Sequence, residues 1–291
     1  MVVPADNHVH SEWSYDTTNQ ASMTGACERA LDVGVPAVAF TEHLDFTRWA
    51  TGDPGRAAGL EPRHRSRVAP LDVTGYLAAI EDCRQRFPAL RILSGVETGE
   101  PHLFAASVGA VVGNQQFDRI LGSLHAVPVR GRLAGLPTMF GMFGPDEVLR
   151  RYFAELLRLV RGSDLFQVLA HLDFPRRYWP PSAGPYEEKA FEDQYRAVLR
   201  ALAESGRALD TGGQHQEPAG LGRVAGLVAG RGRPGRVVRE RRASGLADRG
   251  PVRRGGGRGR GGRVPAGPGP VRLLAPVRPL AAGRWRRGCW R

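Results

Sequence analysis

Seven side chains of metal-binding type recur along the first two thirds of the chain: His8, His10, Asp16, His43, Glu97, His125 and His171. Most of them close short apolar runs, which read AVAFTEH, RILSGVE, RILGSLH and FQVLAH. A lone histidine at the end of such a run is most often a hydrogen-bonded core residue. Several together have no such simple account, because burying many polar groups without partners is costly. Coordination of shared ions satisfies them all at once. His8-Val9-His10 adds to this, since residues i and i+2 of a strand face the same side and both imidazoles can reach one ion.

These residues need elements that bring them to one place. The apolar runs predict strands over 4–10, 37–43, 91–97, 119–125, 166–171 and 207–211. Amphipathic stretches predict helices over 22–33, 73–87, 145–160 and 186–205. Ser22 and Asp72 are suited to N-caps and Gly34 to a C-terminal stop. Pro145 followed by Asp146 and Glu147 suits a first helical turn, where the helix dipole favours acids. Strands alternating with helices imply βα units and a parallel sheet or barrel. In such barrels the C-terminal strand ends converge on one face, which is where the ligand-type residues fall.

Taken together, DNHVHSEWSYD, FTEHLD, GVETGEPH, GSLHAV and LAHLDFPRRY resemble the successive motifs of the polymerase-and-histidinol-phosphatase (PHP) family. GVE-x-x-E-P-H and HLDFPRRY are most similar to its histidinol-phosphatase branch. The resemblance runs from about Asp6 to about Thr211. It implies a distorted (β/α)7 TIM-like barrel with two or three divalent ions. By the resemblance, His8, His10 and Glu97 are ligands of a first metal. Glu97 would bridge to a second with His125 and His171, and Asp16 and His43 would hold a third. Nitrogen and oxygen donors without cysteine suit Zn, Mn or Fe better than Mg alone. The implied reaction is hydrolysis of a small phosphomonoester, L-histidinol phosphate to L-histidinol in histidine biosynthesis. Its nucleophile would be a metal-bound water, with no protein nucleophile. Other family phosphoesterase activities remain open, because pocket loops set the substrate. The chain has neither the DxDx[TV] sequence of aspartyl-phosphate phosphatases nor a GxxxxGK[ST] phosphate loop.

Further residues suit supporting roles. Arg176 and Arg177 follow the His171 run and could clamp a phosphate, or form an ordinary solvated pair. His102 could line a substrate pocket or lie at the surface. Glu42 could orient a ligand or hold a loop. His64, in EPRHRSR, reads as exposed. The long connection over 44–71 could cover the site.

After Asp210-Thr211 the composition changes. The last 81 residues carry 19 arginines and 3 acids, about +16, which leaves the body near −4 of the total +12. They contain no Ile, Phe, Tyr, Lys or Asn. The Asp-x-His pair with which the family's barrel ends is missing; His215 stands in GGQHQ instead. The segment can be a basic nucleic-acid-binding arm, a flexible linker, or out-of-frame translation of GC-rich DNA. The third reading is preferred, because the change falls inside an expected strand. The expected division is therefore a family domain over 1–211, lacking its last βα unit, and a disordered basic tail over 212–291. The first and third metals would each lack one ligand, so the chain is expected to be weak or inactive. A non-enzymatic remnant whose basic arm binds nucleic acid is the reading from another class. Three scattered cysteines, no long apolar run and no signal-peptide pattern fit a cytoplasmic protein without membrane contact.

Overall fold

A computed structural model describes residues 5–47, 71–210 and 237–238. The 44–71 connection beyond residue 47, His64, and the tail apart from 237–238 lie outside the described residues. Nine strands and six α-helices occur among them: β1 (Asp6–Val9), α1 (Met23–Asp32), β2 (Ala37–Leu44), α2 (Val73–Arg86), β3 (Arg91–Gly99), α3 (Ala105–Val112), β4 (Arg119–Ser123), β5 (Ala126–Val129), β6 (Arg132–Gly135), α4 (Leu136–Met142), α5 (Pro145–Gly162), β7 (Val168–Leu169), α6 (Glu192–Glu204), β8 (Ala208–Asp210) and β9 (Val237–Val238).

The main sheet is ordered β1-β2-β3-β4-β7-β8-β9 and every pairing in it is parallel. β9 adds only a two-residue pairing, Leu209 with Val237 and Asp210 with Val238. The six strands before it form a curled half-barrel. No pairing joins β1 to β9 among the described residues. The sheet's curl is nevertheless strong. His8 on β1 and Asp210 on β8, near opposite ends of the strand order, approach to 2.7 Å across the interior.

Local chemistry explains the helices. Ser22 Oγ accepts the Gly25 N–H at the start of α1, and Asp72 does the same for Gly75 at α2. α5 begins with Pro145, and Asp146 and Glu147 pair with Arg150 and Arg151 one turn on. Its apolar face buries Val148, Leu149, Tyr152, Phe153, Leu156 and Leu159 against α6. In a second core, Met23, Cys27, Tyr76 and Ile80 pack with Val38, Phe40 and Ile92. Tyr76 stitches that layer to the sheet, its hydroxyl lying 2.9 Å from the Phe40 carbonyl and 2.9 Å from the Gly95 N–H.

Some elements differ from the sequence-based expectation. The helix expected over 186–205 begins as an α-helix only at Glu192, because Glu188–Phe191 is a 3-10 turn. The 166–171 run forms a strand only over Val168–Leu169. His171 itself has φ +23°, outside extended geometry, so the chain leaves the ladder there. The β5–β6 hairpin, α3 and α4 are additional.

Candidate metal centre

Glu97, near the end of β3, is the centre around which the ligand-type residues gather. It is 1% exposed, in the middle strands of the half-barrel. One carboxylate oxygen, Oε2, lies 3.3 Å from His8 Nε2, 3.3 Å from His10 Nε2 and 3.2 Å from His43 Nδ1. The other, Oε1, lies 2.7 Å from His171 Nε2, 3.5 Å from His125 Nε2 and 2.6 Å from the donating Ser123 hydroxyl. Asp16, on the loop after β1, reaches His43 Nε2 at 3.4 Å. All seven expected residues are thus brought together, from the ends of β1, β2, β3, β4 and β7 and from one loop.

Two of the three-residue donor sets among the described residues are His8, His10, Glu97 and Glu97, His125, His171; in each, the donor atoms lie within 4.8 Å of one another. A third set is His43, Asp45, His125, which adds a carboxylate that sequence reading passed over. Asp45 accepts the Tyr15 hydroxyl at 2.9 Å and lies 3.3 Å from His125 Nδ1. A Cβ at Gly99 would overlap its carboxylate, so glycine there makes room for it.

The charge pattern fits cations. Burial alone would raise the Glu97 carboxyl, yet His8, His125 and His171 hold it well below the usual carboxylate range. Burial disfavours a charged His10 and the neighbouring His43 reinforces this, pushing it down to about 3. Burial works against a charged His43 too, but Asp16, Glu97 and Asp45 outweigh it and raise it to about 9. His8 Nε2 and His10 Nε2 stand 3.1 Å apart. Two such nitrogens facing a buried carboxylate are a fitting donor set for a divalent ion of the Zn, Mn or Fe type.

Buried carboxylates outside the ligand sets hold the loops. Glu42 accepts the Ser11 N–H and hydroxyl and the Ser14 hydroxyl, and Ser14 Oγ lies 3.1 Å from His10 Nδ1. Glu42 therefore holds the loop that carries Asp16 and, through Ser14, reaches a ligand-type histidine. Glu100, which is fully buried at φ +45°, accepts the His125 and Ala126 N–H groups and the Thr47 hydroxyl. Asp210 meets His8 Nδ1 at 2.7 Å. The acid of GVE-x-x-E is a sequence signal for Glu100; nothing local marks Asp45 or Asp210.

The expected substrate-side residues separate. His102 Nε2 lies 2.8 Å from Glu155 Oε1 of α5, so its ring is engaged with a helix rather than with the imidazole cluster. Arg176 is exposed, 3.4 Å from Glu188 and over the Tyr186 ring. Arg177 lies over the Phe174 ring, which is itself 4.7 Å from the His171 ring and 5.6 Å from the His125 ring.

A family model described as PHP domain matches residues 6–211. The chain belongs to the PHP domain family. This PHP domain protein is 24% identical over 211 residues to the histidinol-phosphatase of Lactococcus lactis, across 70% of each chain. It is 23% identical over 202 residues to a Clostridium acetobutylicum protein named for the same activity, across 68% of this chain and 69% of that one. The crystal structure of a Lactococcus lactis histidinol phosphate phosphatase, complexed with zinc, L-histidinol and phosphate, matches this PHP domain protein with a TM-score of 0.59. That match is 22% identical and covers 72% of each chain. No helix among the described residues is long and apolar enough to cross a membrane.

Proposed function

We propose that the chain is a metal-dependent phosphomonoesterase whose substrate is L-histidinol phosphate. The observation that carries this reading is the gathering of five imidazoles within 3.5 Å of one buried carboxylate, Glu97. His8, His10 and Glu97 would hold a first ion, Glu97, His125 and His171 a second, and Asp16 and His43 a third. Divalent ions held there supply Lewis acidity, acidifying water and offsetting phosphate charge. Glu97 presents both oxygens and so can face two ions at once. Arg177 lies over Phe174, whose ring neighbours His125 and His171, and would be the arm that meets phosphate oxygens. The zinc, L-histidinol and phosphate in the related Lactococcus structure support both the cofactor and the substrate class. We place the end of this domain near residue 211 and keep the basic segment after it apart from the catalytic reading.

The test is phosphate release by the full chain from histidinol phosphate and from p-nitrophenyl phosphate. Release from histidinol phosphate that chelation abolishes and zinc or manganese restores is the expected result. Release from p-nitrophenyl phosphate alone would keep the phosphatase and remove the substrate. No release from either, with metal bound, would remove the catalytic reading.

A further inference from the structure

We propose that Asp210 is the positioning residue for His8, so that the metal centre depends on strand β8. This rests on the metal-centre reading above. The two residues are 202 positions apart and sit on β1 and β8, each 3% exposed, with Asp210 Oδ2 at 2.7 Å from His8 Nδ1. An ionised carboxylate can only accept, so Nδ1 carries the proton and the lone pair is left on Nε2. That Nε2 is the atom facing His10 Nε2 at 3.1 Å and Glu97 Oε2 at 3.3 Å. Asp210 thereby fixes both the tautomer and the rotation of the ring toward the place where an ion would be shared. A carboxylate behind a metal-binding histidine generally does this, and losing it weakens metal binding about 10–100-fold.

Asp210 does not replace the Asp of the missing Asp-x-His pair. It meets the ring nitrogen pointing away from Glu97 and His10, with the imidazole standing between it and them. It is a holder of a ligand. The sequence changes character directly after it, at Thr211, so β8 is the last strand of the matched domain. On this assignment the chain keeps an oriented His8 although its sequence after Asp210 carries no Asp-x-His pair.

The experiment measures zinc affinity of the full chain by competition with a chromogenic chelator, for the unaltered protein, Asp210→Ala, Asp210→Glu and His8→Gln. In parallel, long-range proton–nitrogen NMR of the metal-free protein reads the His8 tautomer, its signals assigned by their loss in His8→Gln. The expected results are an Nδ1-protonated His8, zinc affinity about 10–100-fold lower in Asp210→Ala, and partial recovery in Asp210→Glu. A role confined to holding β1 against β8 would leave zinc affinity unchanged in the folded Asp210→Ala chain. That result, with zinc lost in His8→Gln, overturns the proposal and leaves the metal centre standing. If Asp210→Ala does not fold, the tautomer decides: a proton on Nε2 of unaltered His8 overturns the proposal. An unaltered chain that takes up no zinc overturns the metal centre and this proposal together.

Discussion

His10 and His43 lie face to face, ring centroids 4.3 Å apart and planes 17° apart, yet they belong to regions of opposite character. His10 is driven down to about 3 and is neutral at physiological pH; His43 is raised to about 9 and carries a proton. The His8–His10–Glu97 region comes from two strand ends, with every member held by buried partners. The Asp16–His43 region leans on a loop residue whose side chain is 30% exposed, with a single 3.4 Å contact. Two stacked imidazoles cannot both hold a proton cheaply in a low-dielectric interior. One is therefore ready to give its lone pair, and the other must first release a proton.

The largest test of this contrast is removal of the shared centre. Glu97→Ala deletes the group both regions face and leaves five imidazoles around a gap. Metal content should fall for every site, and phosphate release should drop by roughly 10³-fold, the several kcal/mol that metal assistance supplies. Atomic-emission metal analysis beside the phosphatase assay checks it. Retention of full metal content would break the view that Glu97 joins the regions. Asp16→Ala should act on one region only: one ion equivalent lost, the others kept, and a decrease of roughly 10²-fold, about 2.7 kcal/mol. Equal losses in the two variants would mean that the regions are one.

The proton on His43 gives a smaller, sign-definite effect. In the metal-free chain its value rises from 6.5 to about 9, so its charged form stabilises the fold. That contribution is fully present below pH 6.5, declines between 6.5 and about 9, and is gone above. Urea midpoints of the metal-free protein should therefore decrease over that interval, and decrease less in His43→Gln. Metal uptake should show the reverse slope, strengthening with pH because the ion displaces the proton. A midpoint that is flat with pH would sink the assignment of opposite protonation states.

How much of this was legible before the structure follows the same divide. β2 and β3 were readable because apolar runs ended in Glu42-His43 and Glu97, and the strands run through those residues. His8, His10, His43, Glu97, His125 and His171 were readable as candidates because each stands in or beside such a run, whereas Asp16, in SEWSYD, was reached only through the spacing after His8-Val9-His10 and the family resemblance. The β5–β6 hairpin was not. AVPVRGRLAG carries Pro128 within a strand, and its turn uses Arg130 and Gly131 at positive φ, features that read as loop. α3, AASVGAVV, has a glycine inside and no side-chain cap, so no start signal marks it. Asp45 and Asp210 were illegible because their roles arise from pairing across elements. The pairing of His102 with Glu155 on α5 was illegible too, because nothing in GVETGEP points to that helix.

The smallest expected effect separates two adjacent arginines that sequence could not tell apart. Arg176 is tied to Glu188 and rests on Tyr186. Arg177 rests on Phe174, whose ring touches the His125 and His171 side of the centre. An exposed guanidinium contributes to a phosphate contact through one charge-assisted hydrogen bond, about 1.5 kcal/mol, or roughly tenfold. Arg177→Ala should therefore raise KM for histidinol phosphate about tenfold, while Arg176→Ala stays within about twofold. Because the contact serves ground state and transition state alike, kcat should stay nearly level in both. A drop in kcat for Arg177→Ala with KM unchanged would move the arginine from substrate capture to the reacting phosphate. Equal KM effects at the two positions would mean that the stack on Phe174 does not set which arginine meets substrate.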